Sequence, residues 1–291
     1  MREKLKGSVT LYETGEELLE QADVDLIDVC VPTHLHRRFV EMAAARGKHV
    51  FCEKPLARTR EDGQAMIEAC RKAGVKLGVG HVVRFFPEYR KIKETLESGQ
   101  IGQPATVTTM RGGGGFPTAW QDWYANFEWS GGLILDMIIH DFDYLRWLFG
   151  EVDHVFARGT TGKEYNRLEY ALVTLRFKNG VIANVEGTWL NHGGFQTEIE
   201  ITGQKGLISH ESKDSAPLRT LMKDDANASG VAVPESPLYD SPYFLEIKHF
   251  VDCIEQGTDP LINGEEALKA MEISLAAIES IRTGKPVYLN R

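Results

Sequence analysis

The 291-residue sequence predicts an α/β protein in which a parallel sheet is followed by an antiparallel sheet. Between residues 25 and 80, short apolar runs alternate with amphipathic stretches, a pattern typical of βαβ units. Beyond residue 150 the chain becomes mostly strand, and Asn179-Gly180 between two of these runs is a strong hairpin signal. At about 150 residues per domain the length indicates two domains, which we place at residues 1–86 and 87–291.

The first domain is predicted to alternate strands with capped helices. Its strands cover residues 26–31, 49–52 and 75–79. Thr33 can cap a helix that ends at Gly47, and Thr59 can cap one that ends at Gly74, because threonine is favoured at helix N-caps and glycine just past helix ends. Pro87 is suited to the first turn of a further helix, where the second domain begins.

The second domain is predicted to combine a sheet with two longer helices. An extended run starts near Ala105, and Ser130 can cap a helix that Gly150 ends. The polar, proline-containing segment 213–241 is interpreted as a long loop. A stripe of apolar residues then predicts a helix over about 265–283, which can pack back on the first domain. The predicted strands cover residues 152–157, 170–177, 181–189, 197–202 and 207–211.

The composition excludes several classes of function. Lys and Arg total 33 against 42 for Asp and Glu, and the net charge of −9 has the wrong sign for a non-specific nucleic-acid binder. No apolar run approaches the roughly 18 residues of a spanning helix, and the N-terminus lacks the apolar stretch of a signal peptide. The four cysteines are far apart, without metal-ligand spacing. We therefore expect a cytoplasmic protein with reduced thiols, no nucleic-acid or membrane partner and no metal site.

Polar and cationic residues follow directly after the predicted parallel strands. Because ligands bind outside the carboxyl ends of strands in an open parallel sheet, we expect these residues to face one crevice. A single lysine is usually a solvated surface residue, but Lys54 comes straight after a buried strand, which favours a functional role. The three groups are Pro32-Thr33-His34, Glu53-Lys54-Pro55, and Gly80-His81 with Arg84 just beyond.

A second group of candidate residues lies in the predicted helix that starts at Ser130. Asp136 and His140 are spaced i, i+4 and Asp143 follows three residues later, so the three share one stripe. Such a pair alone is more often a structural hydrogen bond, and it could also supply two metal ligands, although no third ligand is near in sequence. Acid–base chemistry fits better, because histidine titrates near neutrality and a carboxylate can fix its tautomer.

Aromatic residues cluster just ahead of that helix, at Trp120, Trp123, Tyr124 and Trp129. Aromatic faces can line a sugar-binding site, but such a cluster more often belongs to a core or an oligomer interface. The glycines at 112–115 lack the spacing of a phosphate-binding loop and are interpreted as a mobile loop.

The order of these motifs resembles the glucose–fructose oxidoreductase, inositol dehydrogenase and MocA family of nicotinamide-dependent oxidoreductases. The resemblance rests on strand-PTHLH, strand-CEKP, strand-GHVVRF and GGLILDMIIHDFD, and extends to the closing segment DPLINGEEALKAMEISLAAIESIRTGKPVYL. It implies a doubly wound parallel domain of the Rossmann type followed by an α+β domain. In this family the open antiparallel sheet of the second domain often forms the oligomer interface, so we expect a homo-oligomer.

The resemblance also implies roles for the residues of both groups. Lys54, Asp136 and His140 would be catalytic and would contact the substrate together with Trp120 and Trp123. His81 and Arg84 would lie near the nicotinamide end of the cofactor. The full set of expected cofactor-binding residues is Pro32, Thr33, His36, Glu53, Lys54, Pro55, His81 and Arg84.

The sequence departs from the family pattern at its N-terminus. Family members open with a strand, a GxGxxG turn and a helix, whereas this sequence begins near the family's third strand, at residues 9–12. The Rossmann domain is thus expected to be N-terminally incomplete, with strand 26–31 as an unpaired edge. Because the pyrophosphate normally rests on the glycine turn and the helix N-terminus, we expect these 291 residues to bind NAD or NADP weakly.

The resemblance implies an oxidoreductase that moves a hydride between NAD(P) and a secondary alcohol or carbonyl of a sugar, cyclitol or related polyol. In this hypothesis His140 accepts the alcohol proton, Lys54 stabilises the developing alkoxide, and Asp136 orients the pair. The alternative is a truncated, non-catalytic homologue that binds a ligand or forms oligomers without turnover.

Overall fold

The computed structural model describes residues 9–162, 167–190, 193–213 and 240–289. These residues form a three-stranded parallel sheet and a seven-stranded mixed sheet, with helices packed around both. The loop predicted at 213–241 lies almost entirely outside the described residues.

The parallel sheet consists of strands β1 (Leu26–Val29), β2 (His49–Glu53) and β3 (Leu77–Gly80), in that spatial order. Its three strands are those that the sequence predicts, within two residues at each end. The strand expected at residues 9–12 is wrong. A strand needs a partner for its backbone groups, and β1 pairs only with β2 among the described residues. Val9, Thr10 and Tyr12 instead line an apolar groove of about 670 Å³ beside β1.

Helices α1 (Gly15–Gln21), α2 (His36–Ala44) and α3 (Arg60–Ala73) accompany this sheet. Thr14 and Thr59 cap α1 and α3 by accepting a hydrogen bond from a backbone N–H in the first turn. The cap expected at Thr33 is wrong, because Thr33–Leu35 forms a 3-10 turn and α2 begins at His36 without a side-chain cap. Gly74 ends α3 with a φ of 69°, as predicted.

The chain between the two sheets folds into several short helices. Helix α4 (Pro87–Glu97) leads to strand β4 (Pro104–Gly112), and a 3-10 turn over Trp120–Ala125 precedes α5 (Phe127–Ser130). The single helix predicted between residues 130 and 150 is two helices, α6 (Gly132–Asp136) and α7 (Ile139–Phe149). Asp136 and His140 therefore do not share one helical stripe.

The break between α6 and α7 lies where the chain packs on the second sheet. Ile138, at the break, is fully buried. A Cβ on Gly187 would lie only 2.4 Å from Ile138 Cγ2, so glycine is required for this approach. The packing of Ile138 against the sheet thus overrides the continuous helical pattern of the sequence.

The second sheet has the spatial order β10-β5-β6-β7-β4-β8-β9. The antiparallel sheet that the sequence predicts is mixed, because β4 and β7 run parallel while the other neighbouring strands are antiparallel. The hairpin at Asn179-Gly180 is confirmed: it joins β6 to β7, with Gly180 at a φ of 97°. Besides β4, the strands are β5 (Val152–Gly162), β6 (Arg167–Phe177), β7 (Ile182–Thr188), β8 (Gln196–Gly203), β9 (Leu207–Glu211) and β10 (Val287–Tyr288).

The C-terminal helices α8 (Pro242–Gln256) and α9 (Gly264–Thr283) complete the fold. Leu268 and Met271 of α9 belong to the core around the parallel sheet, whereas Ile273 and Ala277 belong to the core of the second sheet. Helix α9 therefore joins the two cores. Within the described ranges, no helix is both long enough and apolar enough to cross a membrane.

Replacing Gly187 with alanine should destabilise the fold, because the added Cβ would overlap Ile138 Cγ2. We expect the free energy of unfolding in urea to fall by about 1–3 kcal/mol, the usual cost of overpacking a core. In the double variant Gly187→Ala/Ile138→Ala the overlap is removed, so the two single costs should not add. Strictly additive costs would contradict the packing described for Ile138.

Candidate functional site

Polar side chains gather at the carboxyl ends of the three parallel strands. Thr33 follows β1 and is 3% exposed, the half-buried Lys54 follows β2, and His81 follows β3 with no exposed surface. The sequence places these residues far apart, and the parallel sheet brings them to one edge, as predicted. This edge faces the segment that contains α6 and α7.

Lys54 and Asp136 meet across this edge, although they are 82 residues apart in the sequence. Lys54 Nζ donates to the backbone oxygen of Asp136 at 2.6 Å and to Asp136 Oδ1 at 3.0 Å. Both side chains are mostly buried, with exposed fractions of 18% and 12%. An ammonium has three N–H donors, so one remains for a further acceptor.

His140 lies in the first turn of α7 and is half-buried. Its Nδ1 is buried without a hydrogen-bond partner among the described residues, which leaves Nε2 as the nitrogen that a ligand can reach. Burial, together with the positive charges of Lys54 and Arg111, holds the pKa of His140 well below its usual range. The ring is therefore uncharged at neutral pH and can accept a proton. In the part of the chain that the structure describes, no hydrogen bond joins it to Asp136, contrary to the expected pair.

His81 is buried beside His140, and the centroids of the two rings are 6.1 Å apart. Neither ring nitrogen of His81 has a hydrogen-bond partner in the described residues. Burial lowers the pKa of His81 to about 4, with a smaller contribution from the charge of Arg84, while Asp143 acts in the opposite direction. A neutral ring with two unsatisfied buried nitrogens is a position where a water or a ligand group fits.

His36 is buried between the turns that follow β1 and β2, and its expected place along the cofactor stays a prediction. The ring is 1% exposed, with Nδ1 2.9 Å from the Pro55 carbonyl oxygen and Nε2 2.9 Å from the Val31 carbonyl oxygen. His36 thus joins the turn after β1 to the turn after β2. Burial lowers its pKa, and the backbone oxygens oppose this effect.

Arg84 is held in a buried ion pair, and its expected place near the nicotinamide stays a prediction. Arg84 Nε donates to Asp143 Oδ2 at 2.8 Å, and Nη2 donates to Oδ1 at 2.6 Å. Both side chains have an exposed fraction of 0%. Its third nitrogen, Nη1, is buried without a hydrogen-bond partner among the described residues.

The other residues expected along the cofactor line the strand ends. Pro32 is half-buried and Pro55 is buried. Glu53 Oε2 accepts a hydrogen bond from the backbone N–H of Lys54 at 3.2 Å. Burial raises the pKa of Glu53, and the charge of Lys54 partly offsets this rise.

The aromatic segment ahead of α6 adds Tyr124 to the site. Burial raises the pKa of Tyr124, and the negative charges of Asp136 and Glu53 add smaller contributions in the same direction. Trp123 stacks on Tyr124 with ring centroids 3.9 Å apart, whereas Trp120 is 64% exposed.

Two contacts that the sequence did not indicate fasten this segment to the first domain. The ring of His34, in the turn after β1, stacks on Trp129 with centroids 4.6 Å apart. Arg58 Nε donates to the backbone oxygen of Glu128 at 3.0 Å. The segment therefore borders the crevice at the carboxyl ends of the strands.

The donors at the strand ends fit the nicotinamide end of a dinucleotide. Buried nitrogens of His34 and His81 lack partners among the described residues. Thr33, His34 and His81 are the residues that would hold this end. The 291 residues contain no GxGxxG turn for the pyrophosphate. Among the described residues, no group of three or more His, Cys, Asp or Glu side chains could hold a metal ion.

Two family models match the chain. One, described as an oxidoreductase family with an NAD-binding Rossmann fold, matches residues 3–81, and the GFO/IDH/MocA C-terminal domain matches residues 89–209. The chain belongs to this family. It is an NAD-dependent oxidoreductase, which confirms the family, the fold class and the enzyme class expected from the sequence motifs.

Relatives of the chain include inositol dehydrogenases. The chain is 33% identical to myo-inositol 2-dehydrogenase of Thermotoga maritima, over 99% of this chain and 86% of that protein. Among solved structures, a probable dehydrogenase from Thermotoga maritima superimposes with a TM-score of 0.79 at 31% identity, over 96% of this chain and 84% of that one. Scyllo-inositol dehydrogenase from Lactobacillus casei, solved with NAD(H) and scyllo-inositol, superimposes with a TM-score of 0.77 at 27% identity, over 95% and 83%.

The lowered pKa values of His36, His81 and His140 predict that acid destabilises the protein. Below the unfolded-state pKa of about 6.5, the unfolded chain binds protons that the folded chain resists, so stability present above that pH is lost as pH falls toward the folded-state values. We expect the free energy of unfolding in urea to decrease from pH 7 to pH 5, by up to about 2 kcal/mol per histidine. His81→Phe should reduce this decrease and His154→Phe should not; a decrease unchanged in His81→Phe would contradict the assignment.

Proposed function

We propose that the protein transfers a hydride between NAD(P) and a secondary alcohol or carbonyl of a sugar, cyclitol or related polyol. The observation that carries the proposal is the position of Lys54, whose ammonium is held on Asp136 near the uncharged His140. The names of the relatives support the substrate class, since they include scyllo-inositol 2-dehydrogenase (NAD(+)) of Bacillus subtilis and 1,5-anhydro-D-fructose reductase of Ensifer adhaerens.

His140 is proposed as the general base in the direction of alcohol oxidation. The hydroxyl proton of the substrate passes to the accessible Nε2, and a hydride leaves the carbon that bears this hydroxyl group, so that a carbonyl forms. NAD(P), when bound, supplies the acceptor for that hydride. Because burial and Lys54 disfavour the protonated ring, His140 is uncharged and ready to accept a proton at neutral pH.

Lys54 is proposed to stabilise the negative charge that develops on the reacting oxygen. Two of its N–H donors are bound to Asp136, and the third can point to the substrate oxygen. Asp136 thereby fixes the direction of the ammonium and acts as a positioning residue for Lys54. The reverse reaction uses the same groups, with protonated His140 returning its proton to the oxygen.

The aromatic segment is proposed to cover the substrate. Tyr124 lies near Asp136 and Glu53, and Trp123 stacks on it, so these rings can cover the apolar face of a sugar ring. Trp120, at 64% exposed, is the weaker candidate of the two tryptophans that the sequence indicated.

The four free cysteines, three of them buried, support a cytoplasmic location.

Replacing Lys54 with methionine should slow turnover far more than it weakens cofactor binding. The substitution keeps the side-chain stem and removes the ammonium, so kcat for inositol oxidation should fall by about 10²–10³, or roughly 3–4 kcal/mol. NADH affinity, measured by calorimetry, should change little. His140→Asn should also slow turnover and flatten the acid limb of the kcat/KM profile.

Lys76 provides a matched control for Lys54. Its side chain is also 18% exposed and pairs with a carboxylate, Asp259, at 3.6 Å. Lys76→Met should leave kcat close to the parent value. A Lys54→Met variant within threefold of the parent kcat would contradict the role of Lys54, and a parent chain without turnover on any polyol would favour the non-catalytic alternative.

We also propose that the outer face of the second sheet packs against a second copy of the chain. One row of paired residues on this face runs from a basic end to an acidic end, and cross-strand partners point to the same side of a sheet. The exposed Leu172 lies within the row. In order from β5 to β8, the row is Arg158, Leu172, Glu186, Met110 and Glu198.

A two-fold axis through this face would bring Arg158 of one copy near Glu198 of the other. Arg158→Glu should therefore weaken the oligomer, and Arg158→Glu/Glu198→Arg should restore it, as measured by analytical ultracentrifugation. Arg282→Glu, on the exposed side of α9, serves as the control. A parent chain that is monomeric at tens of micromolar, or a double variant no better than the single one, would contradict the proposed interface.

A further inference from the structure

His140 lies among three aspartates, at positions 136, 141 and 143, and each is paired with a cation from a different part of the fold. The cations come from the turn after β2, from β4 and from the turn after β3. The closest contacts are Lys54 Nζ to Asp136 Oδ1 at 3.0 Å, Arg111 Nε to Asp141 Oδ2 at 2.6 Å, and Arg84 Nη2 to Asp143 Oδ1 at 2.6 Å.

The two arginine pairs are almost inaccessible to water. The side chains of Arg84 and Asp143 are 0% exposed, and those of Arg111 and Asp141 are 6% and 5% exposed. Each guanidinium uses two nitrogens on its carboxylate. Because such forked contacts fix both distance and angle, α7 is held to the first domain by one pair and to the second sheet by the other.

We propose that Arg84 and Arg111 are positioning residues for His140: they neutralise the two aspartates that share its helix and fix that helix between the two sheets. This inference rests on the proposed function, in which an uncharged His140 accepts the substrate proton. Neither arginine needs to touch the substrate or the cofactor for this role.

The positive charge of Arg111 lowers the pKa of His140. Loss of that charge, with an unpaired carboxylate left on the same helix, would favour the protonated ring. With both aspartates paired, the charges of Lys54 and Arg111 act together with burial to keep the ring uncharged. The groups that act on the pKa of His140 are Lys54, Arg111 and His81, and those that act on His81 beside it are Asp143, Arg84 and Lys54. Asp136 and Asp141 are the carboxylates paired with Lys54 and Arg111.

The test is an NMR titration of His140 in the 291-residue chain labelled with 15N-histidine, which requires neither cofactor nor turnover. The parent His140 should stay uncharged down to at least pH 5.5. In Arg111→Gln, which retains an N–H donor for Asp141 but removes the charge, the pKa of His140 should rise by about 1 unit or more. Arg111→Lys keeps the charge and should restore most of the parent value.

A second set of variants distinguishes a change in charge from a loss of folding. Arg111→Met/Asp141→Leu removes both charges without leaving a buried unpaired carboxylate, and should raise the pKa of His140 less than Arg111→Gln does. Arg84→Gln should raise the pKa of His81, which lies beside the Arg84–Asp143 pair. Arg60→Gln is the control, since Arg60 joins α3 to α9 through Glu272 at 2.6 Å, away from α7.

Two results would overturn the inference. One is a parent His140 that titrates at about 6.5 or above, the unperturbed value. The other is the absence of a shift in both variants: the pKa of His81 in Arg84→Gln and the pKa of His140 in Arg111→Gln each stay within about 0.3 unit of the parent value. Either result leaves the proposed function standing, because that is tested separately by the turnover of Lys54→Met and His140→Asn.

Discussion

The buried ion pair between Arg84 and Asp143 joins the turn after β3 to α7, at the place where the functional residues meet. Arg84 comes from the turn after β3, in the first domain, and Asp143 lies on α7, one helical turn beyond His140. Taking two charges out of water is costly, so a pair of this kind is weak evidence for stability and stronger evidence that a particular geometry is being held. The geometry held here is the distance from the strand ends, which carry Lys54 and His81, to the helix that carries His140.

The surrounding structure supports the same geometry from three directions. Arg111 fastens α7 to the second sheet, and Lys54 fastens the end of α6 to the parallel sheet. From α9, Glu266 accepts two hydrogen bonds from Arg146 of α7, at 2.7 and 2.9 Å. Since α9 also contributes to both hydrophobic cores, displacement of α7 would disturb packing and ion pairs together.

Much of the site could be predicted from the sequence because parallel strands place their carboxyl ends together. Lys54, Thr33 and His81 were predicted on that ground, and the hairpin at Asn179-Gly180 followed from local turn chemistry alone. The break between α6 and α7 could not be predicted, because it depends on Ile138 meeting Gly187 from a distant strand. Arg84 and His36 were expected on the cofactor, and only the tertiary fold shows that Arg84 also pairs with Asp143 and that His36 contacts two backbone carbonyl oxygens.

The parallel pairing of β4 with β7 shows the same limit at the level of the sheet. Local hairpins suggested an antiparallel sheet throughout, and nothing within a single strand indicates which non-neighbouring strand it will pair with. Tyr124 is a similar case, since aromatic clustering was evident while its approach to Asp136 depends on how the segment packs. Local signals thus define elements, and long-range packing decides which side chains they bring together.

A double-mutant cycle on Arg84 and Asp143 tests the central claim most directly. The free energies of unfolding of Arg84→Met, Asp143→Leu and the double variant, measured in urea, give the coupling between the two side chains. We predict a coupling of at least about 2 kcal/mol, because Arg84→Met leaves the buried Asp143 without its partner and the double variant leaves neither charge. In Asp143→Leu, Arg84 keeps only the longer contact with Glu266 Oε2, at 3.5 Å. A coupling no larger than that of the solvent-exposed pair Arg282–Glu279 would contradict it.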